Sequence, residues 1–218
     1  GSLYVEPFWV FARRGLDVAQ VTDLKGLAIA PGNPGSGVRI FADALLKANG
    51  LTGNVTLVDA EGLTATDLRT AVERGKVDAL FAAGKPDSPL IDGLLRWPDF
   101  QPVSLRRIDS LAYRFPGILR LRFPEGSQDM ALNIPDRDLD LIGLSVQLVV
   151  PASLPGALSD LLLMAAREVH GERGPFAKHG EFPNANLVSL PLSRSAVRYY
   201  ERGPSPLWRV LPFRVATL

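Results

Sequence analysis

Apolar residues along this chain alternate between short unbroken runs and a helical spacing, and the alternation repeats. The run from Leu3 to Phe11 predicts a buried strand, and Leu27 to Ala30 predicts a shorter one. From Val38 to Ala48 the apolar positions recur every three or four residues, until Asn49-Gly50 supplies a stop signal. We therefore expect strand, glycine-rich turn and helix to form one unit.

The same rhythm continues along the chain, with predicted strands at 55–58 and 77–82 and predicted helices at 65–74 and 90–96. This β-α-β order indicates an α/β fold in which the strands pair in parallel and helices cover the sheet. Parallel strands place their strand-to-helix turns at one edge, so two such turns are expected to face one ligand.

The second half of the chain has a mixed pattern. Strands are expected at 103–105 and 139–151, and helices at 157–169 and 193–201. The stretch 106–134 interleaves arginines with aromatic residues. We expect it to form an exposed pair of strands with solvated arginines.

Composition limits the classes of partner. The 218 residues are 46% hydrophobic and 22% charged, enough for one or two ordinary cores. Lys and Arg total 24 against 23 Asp and Glu, and this balance disfavours a nucleic-acid partner. Cysteine is absent, which excludes disulfides and thiolate metal sites. The chain opens on an apolar strand after Gly1-Ser2, which favours a fragment of a longer protein.

The strongest candidate site is the turn that opens the first predicted helix. Its candidate ligand-binding residues are Asn33, Gly35, Ser36, Gly37 and Val38. The first turn of a helix leaves amide groups unpaired and carries a partial positive charge, so it binds carboxylate or phosphate groups. The turn lacks the lysine of a phosphate-binding loop and the glycine spacing of a dinucleotide fingerprint. The alternative is a tight turn in which Ser36 only caps the helix.

A second candidate turn follows the predicted strand 77–82. Its candidate ligand-binding residues are Gly84, Pro86, Asp87 and Ser88. Asp87 disfavours an anion directly beside it, but its carboxylate could accept a hydrogen bond from a ligand ammonium group. The alternative is that Asp87 or Ser88 caps the following helix. Among the aromatic residues Tyr4, Phe8 and Trp9, a core role is favoured, although Tyr4 and Trp9 carry polar atoms that could meet a ligand.

No set of residues assembles a nucleophile, a base and an orienting group. The two histidines, His170 and His179, have no acidic partner at a spacing typical of metal or triad sites. The alternating acids Asp136, Asp138 and Asp140 are expected to be solvated. We therefore predict no catalytic activity, no metal and no cofactor.

Several short motifs in a specific order resemble one known family. They are Tyr4 to Val10 (YVEPFWV), Asp23 to Gly26 (DLKG), Gly35-Ser36-Gly37, Gly75 to Phe81 (GKVDALF), Gly84 to Leu90, Asn133-Ile134-Pro135 and Ser145 to Pro151. In this order they resemble the TAXI solute receptors, the TRAP-associated extracytoplasmic immunogenic proteins of bacterial tripartite transporters.

The resemblance implies a type II periplasmic binding protein fold, with two α/β lobes joined by crossing strands and a small carboxylate-bearing solute between them. It implies ligand contacts from both turns and from Tyr4, Glu6 and Trp9 on the crossing strand. Val38 departs from the threonine usual at its position. The tail from Tyr199 to Leu218 resembles a membrane-anchored subgroup.

This resemblance implies a complete second lobe at 23–143 and an incomplete first lobe formed by 1–22 and 144–218. The expected function is binding of an amino acid, keto acid or dicarboxylate on the periplasmic side of the inner membrane, with TRAP-type transporter subunits as partners and a membrane anchor outside this chain. The alternative is a ligand-free signalling or structural ectodomain that contacts membrane partners. An enzyme on the same scaffold is disfavoured, because no catalytic group is assembled.

Overall fold

The computed structural model describes residues 1–59 and 70–204. Its strands are β1 (Ser2–Arg13), β2 (Ala28–Ala30), β3 (Thr56–Leu57), β4 (Ala79–Ala83), β5 (Phe100–Pro102), β6 (Ile118–Phe123) and β7 (Leu139–Gln147). Its α-helices are α1 (Gly37–Ala48), α2 (Pro89–Leu95), α3 (Ile108–Arg114), α4 (Gly156–His170) and α5 (Arg194–Arg202). A 3₁₀ turn spans Val21–Leu24, and residues 70–73 are helical. The mixed α/β class predicted from the sequence is confirmed.

Seven strands form one mixed sheet. The order is β3-β2-β4-β1-β7-β6, and β5 also pairs with β1. β2 runs parallel to both β3 and β4, as the β-α-β rhythm predicts. β1 runs antiparallel to β4, with Trp9 opposite Ala82. The amino-terminal half of β1 therefore lies at the edge where β4 ends.

Residues 7–12 of β1 are buried on both faces, which explains the continuous apolar sequence of this part of the strand. Phe8 lies on one face, with its ring 4.8 Å from that of Phe41 on α1. Trp9 and Phe11 stack at 5.9 Å, and Trp9 also meets Phe123 of β6 edge-on at 5.4 Å. Phe8, Trp9 and Phe11 are fully buried. This strand forms the centre of the core.

The chain divides into two compact units. The larger contains residues 6–111, apart from 60–69, and 119–143; the smaller contains 1–5, 112–118 and the described part of 144–218. Residues 8–13 of β1 lie in the larger unit, where they pair with β4 and β5. The lobe bounds 23–143, and 1–22 with 144–218, stay a prediction.

Three sequence predictions of elements need correction. The strand predicted at 103–105 lies at Phe100–Pro102, and the long strand predicted to reach residue 151 ends at Gln147. The expected strand pair at 106–134 is replaced in part by a helix, α3, which buries Ile108 and Leu111 at a spacing of three residues. Most of the helix predicted at 65–74 lies outside the described residues.

The smaller unit is organised around α4 and α5. Leu163 of α4 packs with Ala196 and Tyr199 of α5. Asp160 of α4 is 1% exposed and forms an ion pair with Arg198 of α5.

None of the helices in the described residues has the length and apolar sequence that a membrane span needs.

Candidate functional site

The first candidate turn ends in the amino terminus of α1. Ser36 is the N-cap residue, with extended backbone angles of φ −75° and ψ 154°, and its Oγ accepts a hydrogen bond of 3.2 Å from the Arg39 amide. The predicted capping alternative is therefore present in the structure. The Ser36 side chain satisfies only the Arg39 amide. The amides of Gly37 and Val38 lie in the first turn of the helix, where no carbonyl of the helix can accept their hydrogen bonds.

The surroundings of this helix start leave space for a ligand. Asn33, Gly35 and Gly37 are exposed, and a Cβ atom added to Gly37 would meet no heavy atom within 4 Å. Gly32 has φ +93°, and a Cβ there would lie 2.9 Å from Val38 Cγ1. The Val38 side chain thus packs back against the turn, so Gly32 cannot be enlarged without displacing it.

Arg39 is a cation in the first turn of α1, and its guanidinium group is paired with two carboxylates. Its Nε donates to both carboxylate oxygens of Asp43, at 3.1 and 3.0 Å, and its Nη1 donates to Asp59 at 2.8 Å. The hydrogen bond to Asp59 raises the pKa of Arg39, burial opposes it, and the hydrogen bond to Asp43 adds to the increase, so the pKa is raised overall. The carboxylates of Asp43 and Asp59 therefore offset the positive charge of this guanidinium, whereas the Gly37 and Val38 amides have no carboxylate beside them.

The second candidate turn is fixed by β1. The Gly84 amide donates to the Pro7 carbonyl at 3.1 Å, and the Trp9 indole N–H donates to the Gly84 carbonyl at 2.9 Å. Because Trp9 is fully buried, its indole N–H is already used inside the protein and is not available to a ligand in this structure. Trp9 holds the turn in place.

Within this turn, Ser88 is the N-cap residue of α2, but its hydroxyl makes no capping bond and instead donates to the Lys85 carbonyl at 2.8 Å. Pro86 is buried. Asp87 is exposed and forms no hydrogen bond or ion pair with any residue that the structure describes. Its carboxylate is thus a free polar group of the second turn, as is the exposed ammonium group of Lys85.

The structure brings the two turns to one edge of the sheet. β2 and β4 are hydrogen-bonded neighbours that run in the same direction, with Ala30 opposite Leu80. Each strand leads directly into one of the turns, and neighbouring strands lie about 4.8 Å apart. Both turns belong to the larger unit, so their common edge is a property of one compact body.

The remaining predicted contacts lie on β1. Glu6 is half-buried and precedes Pro7, whose carbonyl binds the second turn. Tyr4 belongs to the smaller unit, where its ring stacks on His170 at 5.2 Å. Of the three predicted contacts on this strand, Glu6 is the one placed in the larger unit with a side chain that is not fully buried.

The acidic run that the sequence singled out is paired with the arginines. Asp138 forms an ion pair with Arg122, and Asp140 lies 3.8 Å from Arg120. The backbone N–H of Glu125, and then Arg122, lower the pKa of Asp138. No group of acids and histidines within residues 1–59 and 70–204 could hold a metal ion.

Sequence reasoning missed two features. One is the pair of aspartates that holds Arg39, and the other is a cluster of arginines around a cavity in the larger unit. The spacing Arg120-x-Arg122 against Asp138-x-Asp140 was a usable signal, because side chains two apart on neighbouring strands lie on one face.

A model of the NMT1-like family matches residues 1–98 of this chain. This matched segment contains β1 and both candidate turns.

Solved structures that match part of this chain include three binding proteins. The substrate-binding protein of an amino acid ABC transporter is 14% identical, with a TM-score of 0.40 over 77% of this chain and 55% of that one. The periplasmic aliphatic sulphonate binding protein SsuA from Escherichia coli is 18% identical, with a TM-score of 0.41 over 77% and 45%. An ancestral arginine-binding protein bound to arginine is 16% identical, with a TM-score of 0.36 over 47% and 42%. The chain thus spans about half the length of these proteins or less.

Proposed function

We propose that this chain is part of an extracytoplasmic solute-binding protein, and that its larger unit holds a small carboxylate-bearing metabolite at the start of α1. The observation that carries the proposal is the exposed first turn of α1, where the Gly37 and Val38 amides have no acceptor within the helix. A carboxylate at this point gains hydrogen bonds from the backbone and a favourable interaction with the helix dipole.

The neighbouring turn supplies the second half of the site. It lies at the carboxyl end of β4, beside the end of β2. The indole N–H of Trp9 holds it by donating to the Gly84 carbonyl. Open parallel sheets bind ligands outside the carboxyl ends of their strands. A ligand bound at Gly37 would therefore extend toward Asp87 and Ser88.

The free carboxylate of Asp87 favours a zwitterionic ligand. An amino acid offers a carboxylate for the amides of α1 and an ammonium group for Asp87, whereas a keto acid offers only the carboxylate. Comparing an amino acid with its keto acid in the same assay decides between the two, since only the first gains from Asp87.

The resemblance to TAXI receptors supports a finer proposal. In this proposal, the solute is transferred to TRAP-type transporter subunits at the periplasmic face of the inner membrane. The parent protein is anchored in that membrane through a segment outside this chain. The proposed activity is binding without chemistry.

The Ser36→Asp variant is expected to lose binding of the carboxylate ligand while keeping the stability of α1. Asp caps helices about as well as Ser, but its charge lies beside the proposed site. Like charges about 4 Å apart near a protein surface repel by about 4 kcal/mol, so affinity should fall about 100-fold or more. A thermal-shift panel of amino acids, keto acids and dicarboxylates identifies the ligand, and calorimetry then measures the affinity.

The matched control is Ser36→Asn, which also caps well but carries no charge. It should bind within a few-fold of the unchanged protein. Equal ligand affinity in the Asp and Asn variants would refute the site. No response to any compound in the panel, for the unchanged protein as well, would favour the ligand-free ectodomain instead.

A further inference from the structure

A polar cavity lies in the larger unit, lined by strands and loops that contain neither candidate turn. Its volume is about 630 Å³, within the range of small-molecule sites. The charged residues that line it are four arginines and two aspartates: Arg106, Arg107, Arg120, Arg137, Asp17 and Asp140. We call this cavity the arginine pocket.

Two of the four guanidinium groups are held in place by the protein. Arg120 donates to Asp109 at 2.7 Å and lies 3.8 Å from Asp140. Arg137 donates to Asp136 at 3.0 Å and to the Pro102 carbonyl at 3.2 Å. Fixed guanidinium groups lose less conformational entropy when they bind an anion.

The other two guanidinium groups have no such partner. Arg106 and Arg107 are exposed, and neither forms an ion pair or side-chain hydrogen bond with any residue from 1–59 or 70–204. Their loop is nevertheless anchored, because the Arg106 amide donates to the Ala19 carbonyl at 2.8 Å. Two cations are thus presented on a fixed backbone with their hydrogen-bond donors unused.

Carboxylates compensate two of the four guanidinium groups, because Asp109 pairs with Arg120 and Asp136 pairs with Arg137. The cations that remain without a paired carboxylate among the described residues are those of Arg106 and Arg107. A ligand with two negative charges would match these two guanidinium groups.

We infer that the arginine pocket binds a small doubly charged oxyanion, with Arg106 and Arg107 as its main contacts. Guanidinium groups bind planar pairs of oxygen atoms through two parallel hydrogen bonds, which suits phosphate and carboxylate groups. The ligand is a phosphate group or a small dicarboxylate, since both present paired oxygens and two charges. This site does not depend on the proposed solute site at α1.

The test is a calorimetric titration with inorganic phosphate and, separately, succinate, at constant ionic strength set by chloride. Arg106→Gln/Arg107→Gln should weaken binding about tenfold or more, because the variant loses the charge-assisted hydrogen bonds of both guanidinium groups. The matched control, Arg74→Gln/Lys76→Gln, removes two exposed positive charges from the same unit outside the pocket and should change affinity less than about twofold. The tighter of the two anions identifies the chemistry of the natural ligand.

Two results would overturn the arginine pocket. One is that neither phosphate nor succinate binds more tightly than chloride. The other is equal weakening by the two double variants, which would show a diffuse effect of net charge. The Ser36→Asp variant separates this site from the one at α1, because anion binding in the arginine pocket should survive that change.

Discussion

Replacing Trp9 by alanine is expected to lower the free energy of unfolding by about 3–5 kcal/mol, the usual range for removing a large aromatic side chain from a core. Trp9 is fully buried between Phe11 and Phe123, at ring distances of 5.9 and 5.4 Å. Its indole N–H also binds the Gly84 carbonyl, so the change leaves a cavity and releases the second candidate turn. Loss of stability and loss of solute binding should therefore appear together.

Urea unfolding followed by far-ultraviolet circular dichroism measures this effect, because that signal does not depend on the tryptophan that is replaced. Trp9→Phe is the matched control. It retains most of the packing and removes the hydrogen bond, so it should cost about 1–2 kcal/mol. If Trp9→Ala unfolds at the same urea concentration as the unchanged protein, the assigned core is incorrect.

The Arg198→Met variant is expected to destabilise the smaller unit by about 3 kcal/mol. Asp160 is 1% exposed, and removing its cation leaves a buried charge without its main partner, which generally costs 3–5 kcal/mol. The Arg198 side chain is 38% exposed, so water enters when it is shortened and the lower end of that range applies. Hydrogen exchange of the α4 and α5 amides reports the local stability.

The double variant Asp160→Asn/Arg198→Met provides the control. It removes the uncompensated charge along with its partner, so it should cost clearly less than the sum of the two single changes. Strict additivity of the two single changes would mean that Asp160 and Arg198 do not interact across α4 and α5.

The elements next to the first candidate turn could be predicted because one local signal dominates each. Residues 7–12 of β1 are buried on both faces, so this part of its sequence is apolar, and α1 combines helical spacing with Ser36 at its start and Asn49-Gly50 at its end. Parallel pairing of β2 and β4 followed from the β-α-β rhythm. The shared edge of the two turns was thus accessible from sequence.

The roles of individual side chains were less accessible, since they depend on contacts distant in sequence. Trp9 looked like a possible ligand contact, but a carbonyl 75 positions away takes its N–H. One of the two carboxylates that bind the Arg39 guanidinium belongs to Asp59, 20 residues later in the sequence. A pattern of residue types does not show which polar atoms are already paired.

In the arginine-rich stretch 106–134, too, the sequence pattern alone did not show which side chains are paired. Its arginines were expected to be solvated on an exposed strand pair, and the matching spacing of Arg120 and Arg122 with Asp138 and Asp140 was the one signal that the interpretation left unused. Arg122 pairs with Asp138 across neighbouring strands, whereas Arg106 and Arg107 precede α3 on a loop held by Ala19. Tertiary contacts, not composition, separate the two groups.

The proposed solute site rests on the backbone amides at the start of α1, and these can be observed one by one. Nuclear magnetic resonance of the ¹⁵N-labelled protein, titrated with the tightest compound from the carboxylate panel, should move the amide signals of Gly37 and Val38 more than those of other helix starts. Unmoved signals at these two residues, with the solute demonstrably bound, would contradict the assignment of the ligand to this turn.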